Sequence, residues 1–282
     1  SGKAGALRIS VSNTTGIDEV NRFPEVQRTY SQGFGGVYDP ASFFPSWGPT
    51  VAEAKAIDPT HPDQLYNTFD EAYKTGWQTK TSLNVSGGTE KVAYASSFSH
   101  FKQSGTIPFT DYQNISGKLS GNVTFSEKFQ AGASLNYINS GGRRYNADRF
   151  NENISYWSPR WSLKDFLTPQ GTMKSYGNDN PLYGPLTNRF VDNVNRLIGN
   201  INFNYQPLPW LNLSYRAGVD SYTDKRERTA PGPQGIPDEQ VFTDNGGGFI
   251  YDYNTNSRII TSTLIATANT KITDDIKATI RV

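Results

Sequence analysis

The chain has 282 residues, with 26 glycines, 16 prolines, 16 Tyr, 16 Phe and 5 Trp, a single Met and no Cys. This mixture of turn formers and aromatics belongs to β-rich chains and argues against a helical bundle, while the missing thiols exclude disulfides, thiolate catalysis and cysteine-based zinc sites. Against 26 acidic side chains stand 27 basic ones, a net charge of +1, which offers no cationic surface to nucleic acid and leaves no nucleic-acid partner to expect.

Taken in chain order, segments with apolar residues at every second position lie at 7–13, 80–86, 92–101, 115–125, 129–137, 197–205, 211–220, 258–270 and 276–282. Four are strict. Residues 115–125 set Ile115, Gly117, Leu119, Gly121, Val123 and Phe125 against Ser116, Lys118, Ser120, Asn122 and Thr124. Phe129 to Tyr137, Leu197 to Tyr205 and Leu211 to Val219 repeat the pattern. Period two is the signature of strands with one apolar face. The connections alternate: tight turns centre on Gly87-Gly88-Thr89-Glu90, Ser126-Glu127-Lys128, Gln206-Pro207-Leu208-Pro209 and Thr273-Asp274-Asp275, whereas roughly 17–78, 102–111, 140–193 and 222–257 form long loops. Short turns at one end and long loops at the other describe a transmembrane antiparallel up-and-down β-barrel.

A soluble sandwich also alternates apolar and polar residues. Three features favour the membrane reading. The segments match the ~9–11 residues that cross a bilayer at a tilt. The apolar faces carry Gly117, Gly121, Ala131, Ala133 and Gly199, which would leave a sandwich core underfilled. Lys118, Arg196, Arg216 and Asp220 all fall on polar faces, where they avoid the ~2–4 kcal/mol that Arg or Lys costs on a lipid face at mid-bilayer. Phe125, Phe129, Phe203, Tyr205 and Trp210 gather beside the short turns as an interfacial girdle would.

Several stretches resemble the SusC/RagA family of TonB-dependent outer-membrane transporters of Bacteroidota. They are Asn84-Val-Ser-Gly-Gly-Thr-Glu-Lys-Val-Ala-Tyr94, Gln103-Ser-Gly-Thr-Ile-Pro108, Asn21-Arg-Phe-Pro-Glu-Val-Gln-Arg-Thr-Tyr-Ser-Gln-Gly33 and Ser46-Trp-Gly-Pro49. The resemblance implies that residues 1–5 end the family's plug domain and that 6–282 form about nine early strands of a plugged barrel of ~22. It further implies a cell outer-membrane location, contact with outer-membrane lipid, import of a glycan or peptide substrate, and a SusD-like surface lipoprotein as partner. Coupling to TonB would run through plug elements lying outside this sequence. A structural or assembly barrel of a secretion or surface complex is the alternative, and a passive porin a third.

Enzyme chemistry finds little support. No GxSxG, HExxH, P-loop or GxGxxG pattern occurs, and Asp58-Pro-Thr-His61-Pro-Asp63 reads as turn formers more readily than as a metal cluster. No catalytic residue, cofactor or metal is expected. For substrate or partner contact the loop aromatics stand out: Trp47, Tyr145, Tyr156, Trp157, Trp161, Tyr176 and Tyr183, with Arg143, Arg144 and Arg160 among them. Aromatic faces stack on sugar rings and peptide side chains, although the same residues also serve to pack loops together.

Overall fold

The computed structural model describes residues 5–171, 173–174, 180–230, 248–273 and 275–282. Nine long strands form one antiparallel sheet: β1 (Gly5–Asp18), β4 (Gly76–Gly88), β5 (Val92–Ser104), β6 (Asp111–Ser126), β7 (Phe129–Arg144), β8 (Arg189–Leu208), β9 (Leu211–Ala230), β10 (Phe249–Lys271) and β11 (Lys277–Arg281). Each pairs with its neighbour in chain order, so the sheet is an up-and-down meander with β1 and β11 as its edges. It is an all-β partial barrel wall. The first connection adds a two-residue hairpin, β2 (Gly33–Phe34) and β3 (Val37–Tyr38), whose Gly35 and Gly36 take φ of 61° and 81°. Only a residue tolerant of positive φ makes this tight primed turn at low cost.

Eight of the nine alternating segments lie within one of these strands, the last overrunning β11 by one residue at each end, and most strands run further than their segments. β8 and β9 have 20 residues and β10 has 23. The excess lies toward the long connections, where residues 189–196, 221–230 and 249–257 keep the ladder without the alternation. Backbone pairing continues past the point where one face stops being apolar.

Register lines the apolar positions up across strands. One row runs Ile9, Val85, Ser96, Leu119, Leu135, Gly199, Val219, Ile260. The next, toward the turns, runs Tyr94, Gly121, Ala133, Ile201, Ala217, Ser262. Among the described residues nothing covers this face: Ile9 is 62% exposed, Leu119 59%, Ile260 65% and Leu264 67%. In β7, β8 and β9 the apolar band is nine residues tall, which at ~3.3 Å per residue and a ~40° tilt spans ~23 Å. Asn139, Asn193 and Asn195 rim it on the loop side, with Asn139 Nδ2 donating to Asn195 Oδ1 at 3.0 Å and the Tyr137 hydroxyl donating to the same oxygen at 2.7 Å. On the turn side Phe125, Phe129, Phe203 and Tyr215 stack in series, with centroids 5.3, 6.3 and 6.4 Å apart. The polar face holds an Arg196–Asp220 pair at 2.5 Å.

The long connections carry the helices. In the first are α1 (Val51–Ile57) and α2 (Thr68–Ala72); between β7 and β8 lie α3 (Ala147–Tyr156) and α4 (Tyr183–Thr187). Thr50 and Glu53 form a reciprocal capping box at α1, and Asn146 caps α3 through Asp148 N and Arg149 N. Such caps satisfy amides that a short helix otherwise leaves unpaired. Phe69, Ala72, Phe150, Ile154, Trp157, Leu163 and Leu182 then bury one another, with Phe23, Tyr73, Ile107 and Tyr145 packed against them. Three separate connections thus share one hydrophobic core at the loop end of the wall.

Candidate functional site

Of the ten residues singled out from sequence, Arg143 and Arg144 end β7, and the others fall into distinct environments. Trp157, Arg160 and Tyr183 are 2%, 3% and 2% exposed. Trp157 donates its indole N–H to Trp161 O at 2.8 Å, and Tyr183 opens α4, where burial raises its pKa. Tyr145 and Trp161 are half-buried against the same core. Trp47 is 65% exposed and Tyr156 44%. Tyr176 lies outside the described residues. Residue type alone did not tell the inward-packed aromatics from the outward ones.

Arg160 anchors a polar network joining the two longest connections. Its guanidinium reaches Asp58 at 2.5 Å and Thr60 Oγ1 at 2.9 Å, and stacks over Trp161 with its centre 4.1 Å from the ring centroid. Thr60 and the Tyr38 hydroxyl also donate to Asp58. These hydrogen bonds, with help from Arg160, hold the Asp58 carboxyl down at about 2, while burial and the bond to Asp58 push Tyr38 up to about 12. His61 is fully buried beside them, its Nε2 2.6 Å from Ser31 Oγ and its Nδ1 2.8 Å from Pro62 O. An Nδ1–H donating to the carbonyl leaves Nε2 to accept from the serine hydroxyl. Sealed from solvent, this pair ties loops together, and burial keeps the imidazole pKa below its ordinary value. Among the described residues no cluster of His, Cys, Asp or Glu suits a metal ion.

Two surfaces remain open at the loop end. The first is a row of exposed aromatics, in which Phe34 packs on Phe44 at 4.9 Å, Phe44 on Phe43 at 5.8 Å and Phe43 on Tyr156 at 5.0 Å. Three of the four come from the first connection, and Tyr156 from the end of α3. The second is a pocket of about 700 Å³ on the polar face between β7, β8, β9 and β10, lined by Arg144, Tyr145, Arg189, Tyr222, Asp224, Arg226 and Arg228 among others. A neighbouring hollow of about 750 Å³ shares Arg144 and Tyr145 and extends toward Asp18 and Gln103. Of this lining, sequence reasoning had named Arg144 and Tyr145 and missed Arg189, Arg226 and Arg228, although alternate positions 222, 224, 226 and 228 of β9 already place the last two on the polar side.

The class defined by these features is an antiparallel β-barrel wall with an uncovered apolar belt and a structured loop end. No family model and no curated protein matches the sequence. Solved structures do match. Chains of the RagAB peptide importer in its open-open and closed-closed states superpose with TM-scores of 0.68 and 0.66 at 15% and 14% identity. A further structure of the RagAB peptide transporter gives 0.67 at 16%. Each covers 99% of this chain and 34% of its own, so this chain spans about a third of their length. The fold is therefore that of transporter barrel chains.

Proposed function

We infer that the protein forms part of the wall of a TonB-dependent outer-membrane transporter of the SusC/RagA kind, importing oligopeptides or oligosaccharides together with a SusD-like surface lipoprotein. The exposed apolar band carries this reading. A continuous belt of Leu, Ile, Val and aromatic side chains, nine residues tall and bordered by asparagines on one edge and stacked aromatics on the other, matches a bilayer and would be an aggregation hazard in water. No helix among the described residues is long and apolar enough to cross a membrane; in this reading the strands make the crossing. Small residues on the band, Gly121, Ala133, Gly199 and Ala217, leave a hollow of about 740 Å³, which lipid chains fill.

With the polar face toward the lumen, the short turns lie in the periplasm and the long loops outside the cell. The loop-end aromatic row is then where a lipoprotein lid would dock, since aromatic side chains are enriched in interface cores. Replacing Phe34, Phe43, Phe44 and Tyr156 with serine in the full transporter tests this. The expected result is loss of the co-purifying lipoprotein and of growth on the cognate oligomer, with the barrel still heat-modifiable. Retention of both would remove the row from function. A barrel that co-purifies with secretion components and no such lipoprotein would favour the assembly reading.

A further inference from the structure

The two edges of the apolar band differ in chemistry. On the turn side the edge is the aromatic stack from Phe125 to Tyr215. On the loop side the same face continues into two register rows of another kind. The nearer row places Asn13 and Thr81 on β1 and β4, Asn139 and Asn195 on β7 and β8, and Thr223 and Asn256 on β9 and β10. Hydrogen bonds between strands show that these side chains share the face: Asn13 Nδ2 donates to Thr81 Oγ1 at 2.8 Å, and Thr223 Oγ1 to Asn256 Oδ1 at 2.8 Å. The further row holds Thr79, Lys102, Gln113, Asn193, Lys225 and Asn254.

No Asp or Glu occupies either row; Asp111, Glu227 and Asp252, the nearest acids, stand two residues further out along their strands. Lys102 and Lys225 are exposed and make no hydrogen bond or ion pair among the described residues. Arg258, likewise exposed and unpaired, sits one row below, at the edge of the band beside Ser221, and its flexible stem can carry the guanidinium up to the rim. The polar face at this height is different, because there Arg144 pairs with Asp192 and Arg226 with Asp224. Along a strand the two rows lie ~7 Å apart, or ~5 Å along the membrane normal at a ~40° tilt. The head-group zone of one leaflet is ~5–7 Å deep.

We propose that this rim binds the head groups of phosphorylated glycolipids in the outward-facing leaflet, with Lys102, Lys225 and Arg258 pairing with phosphate and the neighbouring amides meeting sugar hydroxyls. The proposal rests on the reading of the wall as membrane-spanning with its loop end outside, and it names the lipid partner of that wall. Cations at this height are drawn to anionic head groups. Amides both donate and accept, which suits hydroxyls, and in these rows they far outnumber the cations. A phosphoglycerol head group offers too few hydroxyls to match them. Lys102 on β5 and Lys225 on β9 are four strands apart in the sheet, ~19 Å at ~4.8 Å per strand, so they serve separate lipid molecules.

The test is lipid binding to the full transporter in detergent, read by native mass spectrometry with three probes: an acylated glucosamine disaccharide bearing two phosphates, the same glycolipid without its phosphates, and phosphatidylglycerol. The phosphorylated glycolipid should bind about tenfold more tightly than either of the others. Lys102→Gln combined with Lys225→Gln should bring its binding down toward that of the dephosphorylated form, and Asn139→Leu combined with Asn195→Leu toward that of phosphatidylglycerol, in barrels that remain heat-modifiable. Lys118→Gln removes one charge from the polar face and should change neither preference. Phosphatidylglycerol bound as tightly as the phosphorylated glycolipid, preferences untouched by both double variants, or an equal loss in Lys118→Gln would each overturn the proposal. A transporter that still fractionates with the outer membrane in that case would leave the membrane-spanning reading standing, whereas its recovery in the soluble fraction would remove both.

Discussion

Ile201 sits in the middle of the apolar band of β8, between Ala133 and Ala217 in its row, and is 42% exposed. Its neighbour Asn202 points to the polar face. Arginine at the two positions should therefore have unequal effects: Ile201→Arg places a cation at mid-bilayer at a cost of ~2–4 kcal/mol, and Asn202→Arg leaves it in water. The yield of heat-modifiable barrel should fall sharply for the first and little for the second; equal yields would contradict the assignment of faces. His61 gives a second prediction at this scale. Its pKa is lowered in the folded loops, so the unfolded imidazole binds a proton first as pH falls. The stability that neutral His61 contributes is full above the unfolded value of ~6.5 and drains away below it. Asp58 stays ionised throughout that range, because its pKa is held at about 2. Amide protection of α1 should decline between pH 7 and 5, and His61→Gln should flatten the decline. A variant as pH-sensitive as the parent would rule His61 out as the cause.

At the level of elements, the loop core is a unit with its own stability. Trp157 is buried among Phe150, Ile154 and Leu163, and truncating such a side chain costs ~3–5 kcal/mol. Trp157→Ala should open the connection between β7 and β8 to limited proteolysis while the strands stay protected. Cleavage no faster than in the parent would mean that the three connections do not fold together. How much of this was legible in the sequence divides along the same line. Alternation located all nine strands because successive band residues point to opposite faces, one apolar and one polar. It stopped at Tyr137, Leu197 and Val219 because beyond the band both faces carry polar residues, and there the chain extends its ladder with Asn193, Asn195 and Thr223 unannounced. The helices went unread as well. α1 is seven residues long and α3 ten, too short for a 3.6-residue period to stand out, although Thr50 and Glu53 spell a capping signature. Trp157 and Trp47 carry the same side chain, and only the fold buries one and exposes the other.

For the whole molecule, the proposed reading joins the exposed belt and the alternation of short turns with long connections in one arrangement, a wall that would span a bilayer with its loop end outside the cell. These 282 residues hold no cysteine, so a single cysteine placed among them is the one thiol of this stretch. Asp63, whose side chain is 89% exposed in the first long connection, and Glu127, in the turn between β6 and β7, lie at opposite ends of the wall. A membrane-impermeant maleimide applied to intact cells should label Asp63→Cys and leave Glu127→Cys untouched until the outer membrane is permeabilised. Labelling of Glu127→Cys alone in intact cells would invert the barrel, and equal labelling of both variants in a soluble fraction would contradict the membrane-spanning wall itself.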